Sequence, residues 1–188
     1  MRLFHYSEDP SIAVFEPRPV RVPAARRAGF EWLNGPLVWA IDEPHSILYL
    51  FPRECPRILV WPTARSTGAD RQRWMGETKV RAVAFIERDW LPRLKAATIH
   101  RYALPSEGFV EIGDVGMWVS RAAVRPVGVE ALTGLDERLR EADVKIRTMD
   151  ELTPLRPVWD STLHASGIRL RNARGWGAPG WPHTQKAT

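Results

Sequence analysis

Short apolar segments alternate with polar stretches along the chain. Runs that are rich in β-branched and aromatic residues and bounded by Gly, Pro or Asp predict strands. These runs are RLFHYS, LVWAI, RILVW, KVRAVAFIE, TIHRYALP and VKIRTM. The segment FVEIGDVGMWVSRAAVRPVGVEAL is interrupted by Gly113, Gly116 and Pro126, so it predicts two or three further short strands.

Helical patterns lie between the strands. DEPHSILYLF predicts a helix capped by Asp42, and RDWLPRLKAA predicts a second helix capped by Asp89. TGLDERLREAD has the clearest apolar stripe, and Thr133 with Asp136 predicts a capping box. LRPVWDSTLHAS predicts a final helix.

This order of elements predicts the α+β class. We expect a single domain over residues 1–174, with a mixed, mostly antiparallel sheet and three or four helices packed on it. After Asp160 there is no acidic residue, and Gly and Pro cluster near Trp176 and Trp181. We therefore expect a weakly ordered tail over residues 175–188.

Composition narrows the class of protein. Of 188 residues, 44% are hydrophobic and 26% are charged, which is typical of a globular domain. No apolar run reaches the roughly 18 residues of a membrane span, and the N-terminus lacks a signal-peptide pattern, so we expect a cytoplasmic protein without a membrane partner. Cys55 is the single cysteine. Its apolar, proline-flanked context predicts a buried structural thiol.

The net charge of +5 is carried mostly by arginine, which permits an anionic ligand. Arg18 and Arg53 each follow a proline and are candidates for holding a phosphate. Late in the chain, Arg169, Arg171 and Asn172 allow an alternative, non-enzymatic function, in which the arginines and the tail bind nucleic acid or a protein. The simpler interpretation, which we favour, is that these arginines pair with acids elsewhere in the fold.

One candidate pocket comes from the first strand and the DEPHSILYLF segment. If the strands RLFHYS and LVWAI are neighbours, His5, Ser7 and Tyr49 can line one cleft. Imidazole and hydroxyl groups suit ribose, and a tyrosine ring stacks on a flat heterocycle. The alternative is structural: Ser7 and Asp9 build the turn that follows the strand. No phosphate-loop, zinc-protease or nucleophile-elbow motif occurs, and the spacing of the five histidines predicts no metal site.

Two resemblances follow from these residues. The segments LFHYSEDPSIAVFEPR, VWAIDE, YLFPRECPRI, MWVSRAAVRPVGVEAL and SGIRLRNA resemble an uncharacterised bacterial family of single-domain proteins of unknown function. More locally, a His on the first strand and a Tyr on the second element resemble the diphtheria-toxin-like ADP-ribosyltransferases.

The second resemblance implies NAD as cofactor. It implies that His5 binds ribose, that Tyr49 stacks on nicotinamide and that a late carboxylate is catalytic. Glu111 in FVEIGD is the first candidate for that carboxylate, and Glu130 is the alternative. Tyr6 departs from the pattern, since small residues normally follow the His. The residues leave open whether the protein is an enzyme, which substrate it takes and its oligomeric state.

Overall fold

Strands dominate the computed structural model, which describes residues 1–21, 23, 26 and 28–177. In chain order they are β1 (Leu3–Ser7), β2 (Val38–Asp42), β3 (Arg57–Trp61), β4 (Ala82–Glu87), β5 (Ile99–Leu104), β6 (Val110–Glu111), β7 (Met117–Ser120), β8 (Gly128–Leu132), β9 (Val144–Met149) and β10 (His164–Ile168).

The helices are short. The α-helices are α1 (Gly68–Asp70), which continues as a π-helical turn over Arg71–Met75, α2 (Trp90–Ala96) and α3 (Leu135–Glu141). Segments of 3₁₀-helix cover Glu31–Asn34, Ser46–Tyr49, Thr153–Asp160 and Leu170–Asn172.

The described chain divides into two compact units, each built from separated segments. Unit 1 contains Met1–Tyr49 and Ile99–Leu132, and unit 2 contains Leu50–Thr98 and the described chain from Thr133 onward. Each unit holds one sheet. The prediction of a single domain over residues 1–174 stays a prediction.

Unit 1 is organised by a six-stranded sheet in the order β6-β7-β2-β1-β5-β8, and all of its neighbouring strands are antiparallel. Successive side chains of a strand point to opposite faces. We call the face that carries Leu3, His5 and Ser7 the His5 face, and the face that carries Phe4 and Tyr6 the Tyr6 face. A buried cluster covers the His5 face; its members are Leu3, Phe15, Val38, Ala40, Tyr102, Leu104, Phe109 and Val124.

Unit 2 is organised by a four-stranded sheet in the order β10-β3-β4-β9. The β4–β9 pair is parallel and the other pairs are antiparallel, so the pairing is mixed. Every residue of β4, AVAFIE, is buried, as expected for a strand covered on both faces. Leu94 of α2 and Leu139 of α3 are also fully buried. The α+β class with mixed, mostly antiparallel pairing is therefore confirmed.

Several local predictions are corrected. The segment after β2 forms a 3₁₀-helix over Ser46–Tyr49 rather than a helix from residue 42, although Asp42 still acts as a cap by accepting from the His45 N–H at 2.9 Å. The predicted Thr133 capping box does not form. Gly134, with φ at +60°, precedes α3 instead, and no side chain caps that helix.

The last predicted helix is also wrong in part, because Thr153–Asp160, with Pro157 inside, form a 3₁₀ segment and His164–Ile168 form β10. Of the predicted weakly ordered tail, residues 178–188 lie outside the described residues. Trp176 is described, and it is buried in the core of unit 2.

Candidate functional site

His5 and Ser7 lie on the His5 face and take part in its structure. The His5 ring nitrogen Nδ1 lies 2.8 Å from the carbonyl oxygen of Trp39, and the ring packs at 4.6 Å from the ring of Phe15. Ser7 is buried, and its hydroxyl accepts from the Asp9 N–H at 3.1 Å. The structural alternative for Ser7, a role in the turn, is therefore seen in the structure.

The turn after β1 is held from both sides. The Asp9 carboxylate accepts from the Ser11 N–H at 2.8 Å and from the Ser11 hydroxyl at 2.6 Å, and these bonds lower the pKa of Asp9. The Tyr102 hydroxyl donates to the Asp9 carbonyl at 2.7 Å and accepts from the Ile12 N–H at 3.2 Å. The loop is thereby fixed onto the His5 face.

Tyr49 lies at the Tyr6 face. Its ring is nearly parallel to that of Tyr6, with centroids 6.1 Å apart and an interplanar angle of 14°. Its hydroxyl lies 3.5 Å from the sulfur of Met117. Because Tyr6 and His5 are successive residues of β1, they point to opposite faces, and the structure does not bring His5 and Tyr49 into one cleft.

A carboxylate–imidazole pair lies shortly before Tyr49 in the chain, at the end of β2. Asp42 Oδ1 is 2.7 Å from His45 Nδ1, and the two side chains are 18% and 29% exposed. A carboxylate only accepts, so Nδ1 carries the proton and the lone pair of the neutral ring lies at Nε2. Gly116 packs so closely on this imidazole that a Cβ there would lie 2.6 Å from the ring. His45 and Tyr49 thus contact successive residues, Gly116 and Met117.

Arg101 completes this region on the other side of Tyr6. It is the register partner of Tyr6 across β1 and β5, and its Nη2 donates to Glu130 at 2.5 Å. Burial raises the pKa of Tyr6, and the neighbouring Ser46 hydroxyl and Arg101 guanidinium partly offset that rise. Burial alone would lower the pKa of Arg101, but the bond to Glu130 and the nearby Tyr6 raise it overall.

We call Tyr6, Asp42, His45, Tyr49 and Arg101 the tyrosine stripe. All five side chains are neither fully buried nor fully exposed. Tyr6, Tyr49 and Arg101 lie at the Tyr6 face, whereas Asp42 is the register partner of Leu3 at the end of β2 and orients the His45 imidazole from there. The sequence prediction found Tyr49 and placed Asp42 and His45 on its helix, but it missed Tyr6 as the partner. The period of two along β1 is the signal that could have found it, because Phe4 and Tyr6 share a face.

The other predicted site residues lie elsewhere. Arg18 is exposed, and its backbone pairs with that of Leu37. Arg53 belongs to unit 2, where its carbonyl accepts from Arg169 Nε at 3.1 Å. Glu111 is exposed on the two-residue strand β6, opposite Trp118 and on the His5 face. It lies three strands from His5, about 14 Å at the usual strand spacing. Its catalytic role stays a prediction.

The late arginines are paired with acids, as the favoured interpretation expected. Glu54 accepts from Asn172 Nδ2 at 2.8 Å and from Arg171 Nη2 at 3.2 Å, with Arg169 Nε at 3.6 Å. The Asn172 bond, followed by the arginine charges, lowers the pKa of Glu54. Arg174 pairs with Asp89. These ion pairs do not support the alternative function in which the late arginines bind nucleic acid.

Three remaining predictions concern the cysteine, metal binding and membrane spans. Cys55 is fully buried, as predicted, and burial raises its pKa to about 12. Within the described residues, no group of three His, Cys, Asp or Glu side chains is placed to hold a metal ion. No helix in the same part of the chain has the length and apolar character needed to cross a membrane.

Unit 1 and unit 2 together define an α+β protein with two mostly antiparallel sheets. The model of a family of unknown function, DUF6886, matches residues 4–173, and the chain belongs to this family. No curated protein and no solved structure matches the chain. The chain-wide resemblance is thereby confirmed, whereas the local resemblance to ADP-ribosyltransferases is not supported.

Proposed function

We propose that the tyrosine stripe binds a small molecule with a planar heterocycle, of the nucleotide class. The observation that carries the proposal is the partly buried Tyr49 ring, held parallel to Tyr6 and four residues after a histidine whose imidazole a carboxylate orients. The proposal keeps the nucleotide ligand and the stacking role of Tyr49 from the sequence. It replaces His5 by Tyr6, His45 and Arg101.

Stacking is the first supporting argument. Tyr6 packs against one side of the Tyr49 ring, and the contact of the Tyr49 hydroxyl with Met117 fixes that ring further. A ring that is already immobilised loses little conformational entropy when a ligand stacks on it. Stacking of a nucleic-acid base on an aromatic side chain contributes about 1–3 kcal/mol.

Polar groups near the ring supply the second argument. His45 Nε2 can accept from a ligand hydroxyl, because Asp42 holds the proton on Nδ1. The described residues provide no hydrogen-bond partner at Nε2. Arg101 adds a positive charge on the far side of Tyr6, partly balanced by Glu130. A heterocycle joined to a hydroxyl-bearing, anionic group matches this set of contacts.

The test is isothermal titration of the purified full chain with AMP and, separately, with NAD. Saturable binding of either probe is expected. Tyr49→Ala should weaken it by roughly tenfold or more, since the stacking contribution is lost. Tyr49→Phe keeps the ring and should bind within about threefold of the wild type, because the stacking surface is retained.

Two controls locate the site. His5→Ala alters the opposite face and should leave the affinity unchanged. His45→Ala should weaken binding, whereas His164→Ala, a half-buried histidine stacked on Trp61 in unit 2, should not. The proposal is wrong if neither probe binds the folded wild type, or if His5→Ala abolishes binding while Tyr49→Ala does not.

A further inference from the structure

We infer that β8 is a self-association edge, through which two copies of this chain pair as antiparallel strands about a two-fold axis. This inference is independent of the proposed ligand site. It rests on the exposure of the strand, the direction of its peptide groups and the registers available to it.

β8 is an open and apolar edge. It ends the six-stranded sheet, and in the described chain its strand partner is β5. Gly128 to Ala131 are exposed. Val127 and Val129 are 73% and 54% exposed, and they are two of the few large hydrophobic side chains exposed in the described chain. The segment from Val127 to Leu132 contains no lysine or proline, the residues that commonly protect edge strands.

The opposite edge of the sheet differs. β6 has only two residues, Val110 and Glu111, and very short edge strands are one of the ways by which proteins avoid unwanted pairing. Val110 is also exposed, at 63%. The two edges therefore share an exposed valine, but only β8 offers a strand of five residues to a partner.

The free peptide groups of β8 can be assigned. The Ala103 carbonyl accepts from the Val127 N–H at 2.8 Å, so the peptide groups of Ala103 point toward β8. Those of the next residue back, Tyr102, then point away from β8, because the direction alternates along a strand. Val129 is the register partner of Tyr102, so its own N–H and C=O point to the open edge.

The charge of Glu130 and the faces of the β8 residues favour a register centred on Val129 over one centred on Glu130. A two-fold axis perpendicular to the sheet must pair residues that share a face. Centred on Glu130, it would place the two Glu130 carboxylates directly opposite each other, which is unfavourable. Centred on Val129, it pairs Val129 with Val129 through two hydrogen bonds and places each Glu130 opposite Gly128. Val129 and Ala131 share a face, so this register brings the exposed Val129 side chains of the two copies together.

A second copy is therefore the partner that β8 fits. In the Val129-centred register the two Val129 side chains meet and no two carboxylates lie opposite each other. Each Glu130 also keeps its ion pair with Arg101 of its own chain, so no charge loses its partner on association.

Sedimentation velocity of the full chain over a wide concentration range tests the inference. The mass should rise with concentration toward twice the 21.4 kDa of one chain. Val129→Lys places two like charges opposite each other at the axis and should raise the dimer dissociation constant by roughly tenfold or more. Val110→Lys, the matched change at the other edge, should have no effect, and circular dichroism checks that both variants fold.

Two conservative variants keep the test decisive. Val129→Thr retains a β-branched side chain and should still dimerise. Glu130→Gln should change the dissociation constant by less than about twofold if Glu130 faces Gly128. A wild type that stays monomeric at every concentration overturns the inference. A dimer that survives Val129→Lys overturns it as well, and marked tightening by Glu130→Gln overturns the Val129-centred register.

Discussion

The two faces of the six-stranded sheet use neighbouring residues of β1 for different purposes. On the His5 face, Phe15 packs against both His5 and Tyr102, with ring centroids 4.6 and 5.2 Å apart. On the Tyr6 face, Tyr6 supports the half-exposed Tyr49. The first arrangement closes the face over a core. On the Tyr6 face Phe4 and its register partner Ile41 are buried as well, but Tyr49 and His45 are only partly buried.

This comparison shows that the role of a polar residue in a strand depends first on which face of the sheet it lies on, and only then on its chemistry. The β1–β2 register covers only Leu3 and Phe4, and His5 Nδ1 then contacts the Trp39 carbonyl beyond the paired residues. That carbonyl gains a partner inside the sheet, where an unpaired one would be costly. His45, with its Nδ1 held by Asp42, keeps Nε2 for other partners.

The largest effect expected from this comparison is that of Phe15→Ala. Phe15 is buried in the cluster of the His5 face, so its truncation should lower the free energy of unfolding by about 3–5 kcal/mol. Urea unfolding followed by tryptophan fluorescence measures this loss. Tyr49→Ala removes a half-exposed ring and should cost less. Equal losses of unfolding free energy in Phe15→Ala and Tyr49→Ala would show that the two faces do not differ as described.

Most strands could be predicted from the sequence, because β-branched and aromatic runs bounded by Gly or Pro are strong local signals. LVWAI and RILVW became β2 and β3, and RLFHYS became β1. The helices were less predictable where a short polar capping motif competed with a longer helical pattern. Asp42 caps a turn of 3₁₀-helix instead of a longer α-helix. Pro44, which has no N–H, lies in that turn.

The site could be predicted only in part. Tyr49 and its proximity to Asp42 and His45 follow from spacing along the chain. The stacking of Tyr49 on Tyr6 depends on which face of β1 meets the 3₁₀-helix, and spacing alone does not contain that information. A shift of one residue along a strand moves a side chain to the other face, so assigning His5 instead of Tyr6 exchanges a core contact for a surface one.

A smaller effect is expected from Tyr102→Phe, which keeps the packing of the His5 face and removes one hydroxyl. That hydroxyl bonds to both Asp9 and Ile12, so its loss leaves their backbone groups without this partner. The free energy of unfolding should fall by about 1–2 kcal/mol. Amide exchange at Ile12 should also accelerate. Tyr49→Phe, which removes a hydroxyl that lies 3.5 Å from the Met117 sulfur, is the matched control and should change stability less.

The smallest expected effect is on the pH dependence of stability, and it distinguishes the two faces through the ionisation of Tyr6. Burial raises the pKa of Tyr6 above its ordinary value near 10. Above pH 10 the unfolded chain therefore loses the Tyr6 proton before the folded chain does. The folded state then binds more protons, so stability falls as the pH rises through that window. Tyr6→Phe cannot ionise, so its stability should fall less steeply than that of the wild type between about pH 9 and 11.

Urea unfolding at successive pH values measures the difference between the two slopes. Burial also raises the pKa of Cys55, to about 12, but this thiol is common to both proteins and cancels in the difference. Tyr102→Phe, measured alongside, shows what removal of a tyrosine from the other face does. Parallel curves for the wild type and Tyr6→Phe would mean that the Tyr6 hydroxyl meets water in solution. The contrast between a closed and an accessible face would then have to be drawn from Tyr49 and His45 alone.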